Sequence, residues 1–158
     1  MKQRLFFLFG VLLYFVSSEA QEVDVTLMLQ EVNAVRSHKC KCGRERKKAA
    51  PALVWDQKLE KAAQKHADDM YSNNFFSHDG TDGSNVSSRV DQQGFVWMMV
   101  GENIAEGYIN EKDVVAGWMS SPGHCKNIMN AEFTHMGVAV SSDGKYWVQV
   151  FATPMANE

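Results

Sequence analysis

The sequence predicts an α+β domain, helical in its first two thirds and closed by an antiparallel hairpin. Leu59, Ala62, Ala63, His66, Ala67 and Met70 fall at i, i+3, i+4, i+7, i+8 and i+11, an apolar helical stripe interrupted only by His66. Near the C-terminus the period becomes two. Met136, Val138 and Val140 alternate with Gly137, Ala139 and Ser141, and Tyr146, Val148 and Val150 with Trp147, Gln149 and Phe151. The Asp143-Gly144 pair between these runs is a hairpin turn signal. A length of 158 residues fits one domain. With 45% hydrophobic and 22% charged residues, the chain is neither a disordered tail nor a long coiled coil. Its net charge of −3 gives no overall basic character for a nucleic-acid partner.

The chain opens with Lys2 and Arg4, an apolar run from Leu5 to Val16, and Ser17-Ser18-Glu19-Ala20. Basic start, short apolar core and small-residue exit form the pattern of a secretory signal peptide, with cleavage expected after Ala20. The run is well short of the roughly 20 apolar residues needed to span a bilayer. The expectation is an exported, soluble chain, residues 21–158, with no membrane anchor after cleavage and a formal charge of −4 once Lys2, Arg4 and Glu19 are gone.

Val25, Leu29, Val32, Val35 and Arg36 mark one face of a first helix over about 24–37. Lys39 to Lys48 holds six basic residues in ten and reads as a solvated loop, with an anionic surface or glycan as the sharper alternative. Asp56 is a suitable N-cap for the second helix, which Asn73-Asn74 closes. Residues 77–88 form a polar loop that leads into a short helix ended by Gly94. Asn110 caps a helix over Glu111–Met119, with Asp113 three residues on, and Ser120-Ser121-Pro122-Gly123 breaks it before one more short turn over 124–129. The final strand carries large apolar groups on both faces and is expected at the centre of the sheet.

Export favours oxidised thiols. Cys40 and Cys42 are too close to bridge each other without strain, so either can pair with Cys125. The pairing adopted is Cys42–Cys125, with Cys40 left over. It closes a loop of about 84 residues and stabilises by on the order of 4–5 kcal/mol on the chain-entropy account.

Three polar segments border apolar elements: Phe75-Phe76-Ser77-His78-Asp79, Gly101-Glu102-Asn103-Ile104-Ala105 and Ser121-Pro122-Gly123-His124-Cys125. If they converge, His78, His124 and Glu102 offer two imidazoles and a carboxylate, donors suited to Zn²⁺ or another divalent cation. No H-E-x-x-H helix supports this by spacing. Glu102 and Asn103 have a plainer role as groups that hold a loop, and the two imidazoles as hydrogen-bonding groups with no ion. His66 reads as a structural histidine, His135 as exposed, and Trp55, Trp97, Trp118 and Trp147 as mostly core. Ser121 is badly placed for a serine nucleophile, and a bridged Cys125 has no thiolate to offer. Asn85-Val86-Ser87 is a glycosylation sequon, relevant only in a eukaryotic source.

Asn74-Phe75-Phe76-Ser77-His78, Gly101-Glu102-Asn103-Ile104-Ala105, Gly117-Trp118-Met119-Ser120-Ser121-Pro122-Gly123-His124, Phe133-Thr134-His135-Met136-Gly137-Val138 and Tyr146-Trp147-Val148-Gln149-Val150-Phe151 occur in this order. With them the chain closely resembles the CAP superfamily (cysteine-rich secretory proteins, antigen 5 and pathogenesis-related 1 proteins), over about residues 25–152, and looks most like its compact bacterial members. The resemblance implies an α–β–α sandwich, with a small antiparallel sheet between helical layers, forming a single CAP (SCP-like) domain. It also implies a shallow cleft with two His and two acidic residues, matched here by His78, Glu102 and His124. The second acidic position falls at about Ser120 or Ser121, so the tetrad is incomplete and weaker metal binding is implied. Cys42 and Cys125 look like the cysteine pair of close relatives.

Two functions follow as expectations. The first is a secreted module without chemistry of its own, binding a lipid or sterol, a cell-envelope component or a protein partner. The second is a zinc-dependent, peptidase-like hydrolase with His78 and His124 as ligands and Glu102 as general base on the bound water.

Overall fold

A computed structural model describes residues 21–155; the segment 1–20, read above as an export signal, lies outside the described residues. The elements are α1 (Val25–Arg36), β1 (Cys40–Cys42), β2 (Glu45–Lys47), β3 (Val54–Trp55), α2 (Gln57–Asn73), α3 (Val86–Gln92), β4 (Trp97–Glu106), α4 (Glu111–Ser120), α5 (Pro122–Ile128), β5 (His135–Val140) and β6 (Tyr146–Pro154). Among the described residues no helix is long and apolar enough to cross a membrane.

Each longer helix begins at a side chain that satisfies its first amides. Asp24 accepts from the Leu27 amide, Asp56 from those of Lys58 and Leu59, and Asn110 from that of Asp113. Asn85 and Ser88 exchange bonds in a capping box at the head of α3. The left-handed Asn74 (φ 49°) ends α2.

The main sheet has the order β3-β5-β6-β4, and β6 is central as expected. Its period of two distributes the core. Tyr146, Val148, Val150 and Ala152 pack with Leu59, Ala62, Ala63, Ala67 and Met70 of α2 and Val90 of α3. Trp147 and Phe151 face the other way, onto Met28 and Val32 of α1, Val114, Val115 and Trp118 of α4, and Ile128 of α5. The result is the α–β–α sandwich, α+β in class, that the sequence resemblance implied.

Several details differ from expectation. The sheet is mixed, because the two-residue β3 pairs parallel to β5. Residues 97–106, not assigned as a strand above, form β4, paired with β6 along its length except for a register shift between Trp97 and Met99. The basic stretch is a small hairpin, β1 on β2, with Cys42 opposite Glu45. Helix α5 starts at Pro122, whose missing N–H costs nothing at a first helical position. Cys42 and Cys125 are joined by a disulfide that ties this hairpin to α5, and Cys40 keeps a free thiol. Trp118 and Trp147 are buried, whereas Trp55 and Trp97 are half-buried at the sheet margin and bond to Glu60 and Asp91.

Candidate functional site

The site grows from edge strand β4. Alternation along the strand sends Glu102, like Ile104, toward the α2–α3 layer, and Asn103, like Ala105, toward the α1–α4–α5 layer. One strand therefore reaches a histidine from each layer. His78 comes from the loop after α2 and His124 from the first turn of α5.

On the first face, Glu102 is almost fully buried and both its oxygens are engaged. Oε1 accepts from His78 Nδ1 at 2.7 Å and Oε2 from the Arg89 guanidinium, also at 2.7 Å. Arg89, itself 1% exposed, also donates to the carbonyls of Ser84 and His78. Buried His66 donates from Nε2 to the Ser77 carbonyl at 2.8 Å, which anchors the residue before His78. The structural role expected of His66 thus has a definite object.

On the second face, buried Asn103 donates to Gln149 Oε1 at 3.0 Å and to the His124 carbonyl at 3.3 Å. Asn127 of α5 donates to Asn103 Oδ1 and to the Glu102 carbonyl. The Asn103 amide thereby fixes α5, and so His124, against the sheet.

These surroundings set the charges. The hydrogen bond to Glu102 raises the His78 pKa above its ordinary value, outweighing partial burial. Burial, and then the neighbouring charge on His78, lowers that of His124. Burial also lowers that of His66. His124 lines a cleft of about 360 Å³ with Phe76, Ile104, Tyr108, Trp118 and Ser121. Ser120 and Ser121 both lie on this wall, at about the place where the resemblance puts a second acidic residue. A second cavity, about 600 Å³, is lined by Lys39–Lys41 and Arg46–Lys48 and by neither His78 nor His124.

The donor set can be tested for a metal. His78, held through Nδ1 by a carboxylate, presents Nε2 outward in the manner of a metal-bound imidazole backed by a carboxylate. A catalytic zinc takes three protein ligands. Here two imidazoles are available, since Glu102 is committed to Arg89 and His78, and Glu106, on the wall of the cleft, is paired with Lys145. Among the described residues, only Cys40, Cys42 and Cys125 form a set of three potential ligand atoms all within 4.8 Å of one another; His78, Glu102 and His124 do not. The two free imidazoles are one ligand short of the three that a catalytic zinc takes.

Arg89, Asn127 and Gln149 were missed from the sequence. An arginine on a short polar helix carries no local sign of burial, and Asn103 meets Gln149 across 46 residues of chain. Only the pairing of β4 with β6 brings them together.

Residues 29–151 match the CAP family, the cysteine-rich secretory protein family. The uncharacterized membrane protein YlbC of Bacillus subtilis is 38% identical over 63% of this chain and 28% of its own length. The uncharacterized protein YkwD of the same organism is 36% identical over 66% of this chain and 41% of its own. The chain therefore spans less than half of either relative. A crystal structure of an extracellular SCP-domain protein from Bacillus anthracis superposes with a TM-score of 0.70 at 32% identity, over 80% of this chain and 39% of that one. NaASP2, solved with Zn²⁺, shares the fold with a TM-score of 0.56 at 16% identity, over 80% of this chain and 77% of that one. A family match across most of the chain and a common architecture agree: this protein belongs to the CAP family.

Proposed function

We propose that the protein is a secreted binding module whose cleft beside β4 takes an apolar or amphipathic part of a lipid, sterol or cell-envelope component, with no hydrolytic chemistry of its own. The observation that carries this reading is the engagement of Glu102. A general base must reach the proton it abstracts. Here both carboxylate oxygens are occupied, and the buried Arg89 balances the charge. The walls of the cleft, Phe76, Ile104, Tyr108 and Trp118, suit an apolar group, while His124, Glu106, Ser120 and Ser121 supply a polar side. The signal-peptide pattern of residues 1–20 and the extracellular relative from Bacillus anthracis support a location outside the cell.

A zinc-dependent hydrolase is the second reading, kept because the Glu102–His78 pair would suit a metal-facing imidazole. The test uses one protein in two assays. A fluorescent sterol and phosphatidylglycerol vesicles are titrated with wild type and Tyr108→Ala. Saturable binding of either probe, weakened about tenfold by removal of the aromatic wall, is expected. Zn²⁺ is then titrated into wild type and the His78→Ala/His124→Ala double variant, with casein turnover followed in parallel. Failure of both probes would overturn the lipid assignment. Zinc-dependent turnover lost in Glu102→Gln would replace the binding reading with the hydrolase.

A further inference from the structure

The hairpin that carries the spare thiol lines a different cavity from the cleft. Cys40 and Cys42 are two residues apart in β1, so both project from the same face of that strand. That face meets Cys125 of α5. The three sulfurs lie within 4.8 Å of one another, with Cys42 and Cys125 bonded and Cys40 free. Bridged Cys42 and Cys125 are buried, whereas Cys40 is half-buried and opens into the roughly 600 Å³ cavity walled by Lys39, Lys41, Arg46, Lys47 and Lys48.

We propose that Cys40, Cys42 and Cys125 form a thiol–disulfide exchange centre, and that the cationic cavity admits small anionic disulfides to Cys40. In the internal step the Cys40 thiolate attacks Cys125 Sγ. The Cys42–Cys125 bond breaks and the Cys40–Cys125 bond forms. Cys42 leaves as a thiolate and takes up the proton that Cys40 gave to solvent, so no net electrons move. In the external step the Cys40 thiolate attacks one sulfur of a disulfide RSSR, forms Cys40–S–S–R and releases RS⁻. The internal step controls the external one. In the Cys42–Cys125 form the free thiol faces the cavity; in the Cys40–Cys125 form it is the buried Cys42. The basic wall favours carboxylate-bearing disulfides over neutral ones by charge attraction.

The decisive experiment is thiol mapping of the wild-type protein. It is held at pH 8 without added thiol, quenched in acid, unfolded, tagged with a thiol reagent that works in acid, and mapped by peptide mass spectrometry. Tag divided between Cys40 and Cys42 is expected, and tag on Cys40 alone would overturn the internal exchange. Cys42→Ser provides a second reading. A folded variant with a Cys40–Cys125 bridge supports the proposal, a folded variant with both thiols free opposes it, and if the variant does not fold the wild-type map decides. For the external step, the rates with a dianionic aromatic disulfide and a neutral dipyridyl disulfide are compared on the native and the urea-unfolded chain. A native preference for the dianion about tenfold above the unfolded ratio, lost in high salt, is expected. Equal ratios would overturn the substrate class.

Discussion

The carboxylate of Glu102 holds Arg89 on one oxygen and His78 on the other, so the folded site binds protons differently from the unfolded chain. Unfolded, His66, His78 and His124 all titrate near 6.5. Folded, His78 is raised by its bond to Glu102, while His66 and His124 are lowered, chiefly by burial. The two lowered groups hold fewer protons in the native state than in the unfolded chain, so their contribution makes stability rise with pH toward 6.5. Above 6.5 the native state still holds a proton on His78. That contribution, fully present below 6.5, is lost as pH rises through the folded value. Tm is expected to show an acid limb from His66 and His124 and a shallow alkaline limb from His78, which is half exposed to solvent. His78→Gln should remove that limb. His66→Gln, whose amide can still donate to the Ser77 carbonyl, should flatten the acid side. Thermal melts between about pH 5 and 8 check both, and an alkaline limb that survives in His78→Gln would sink the assignment. His78, Glu102 and His124 were each visible in the sequence as polar residues beside apolar elements. Arg89 was not, although it makes the pair with Glu102 possible, because burial of an arginine depends on what the fold places over it.

At the scale of elements, α2 lies unusually close to the sheet because of what is missing beneath it. A Cβ on Gly137 would overlap the backbone of Leu59 and Glu60 at the start of α2. Ala62, Ala63 and Ala67 continue the same close approach. Gly137→Ala should therefore push the helix from β5 and cost about 3 kcal/mol, an overpacking penalty against rigid backbone. Urea unfolding would show it as a lower midpoint at unchanged slope; a change below about 0.5 kcal/mol would contradict the close approach. This region was legible in advance, since the helical stripe and the alternating strands each carry a single period. Strand β4 was not. Its alternation is broken by the shift between Trp97 and Met99, and Glu102 and Asn103 point to opposite faces yet are both buried. Polar neighbours buried on both sides read as a loop until Arg89 and Gln149 arrive from elsewhere in the chain.

Across the whole molecule, the α1–α4–α5 layer is held together by a buried arginine as well as by its apolar core. Arg36, at the end of α1, is fully buried and donates to the carbonyls of Pro51, Ile128, Asn130 and Phe133. It thus joins the first helix, the end of α5 and the approach to β5, segments about 90 residues apart in the chain. Burial lowers its pKa to about 10, still far enough above neutrality for the charge to persist. Its aliphatic stem completes the apolar face of α1, which is why it falls in line with Val25, Leu29, Val32 and Val35 in the sequence. Its polar head could not be read there, because all four acceptors are backbone oxygens. Arg36→Met keeps most of the volume and removes every donor, leaving four carbonyls without this partner. A loss of about 3–5 kcal/mol is expected. Arg36→Lys, a single point donor in place of a planar fork, should lose about half as much. Hydrogen exchange separates this tie from simple core packing: in Arg36→Met, amides over 128–134 should exchange earlier than those of α2 or β6, because the segment anchored by Arg36 opens below the global unfolding energy. Uniform acceleration across the chain would show that Arg36 acts only through overall stability, not as the local clasp between α1 and the end of α5.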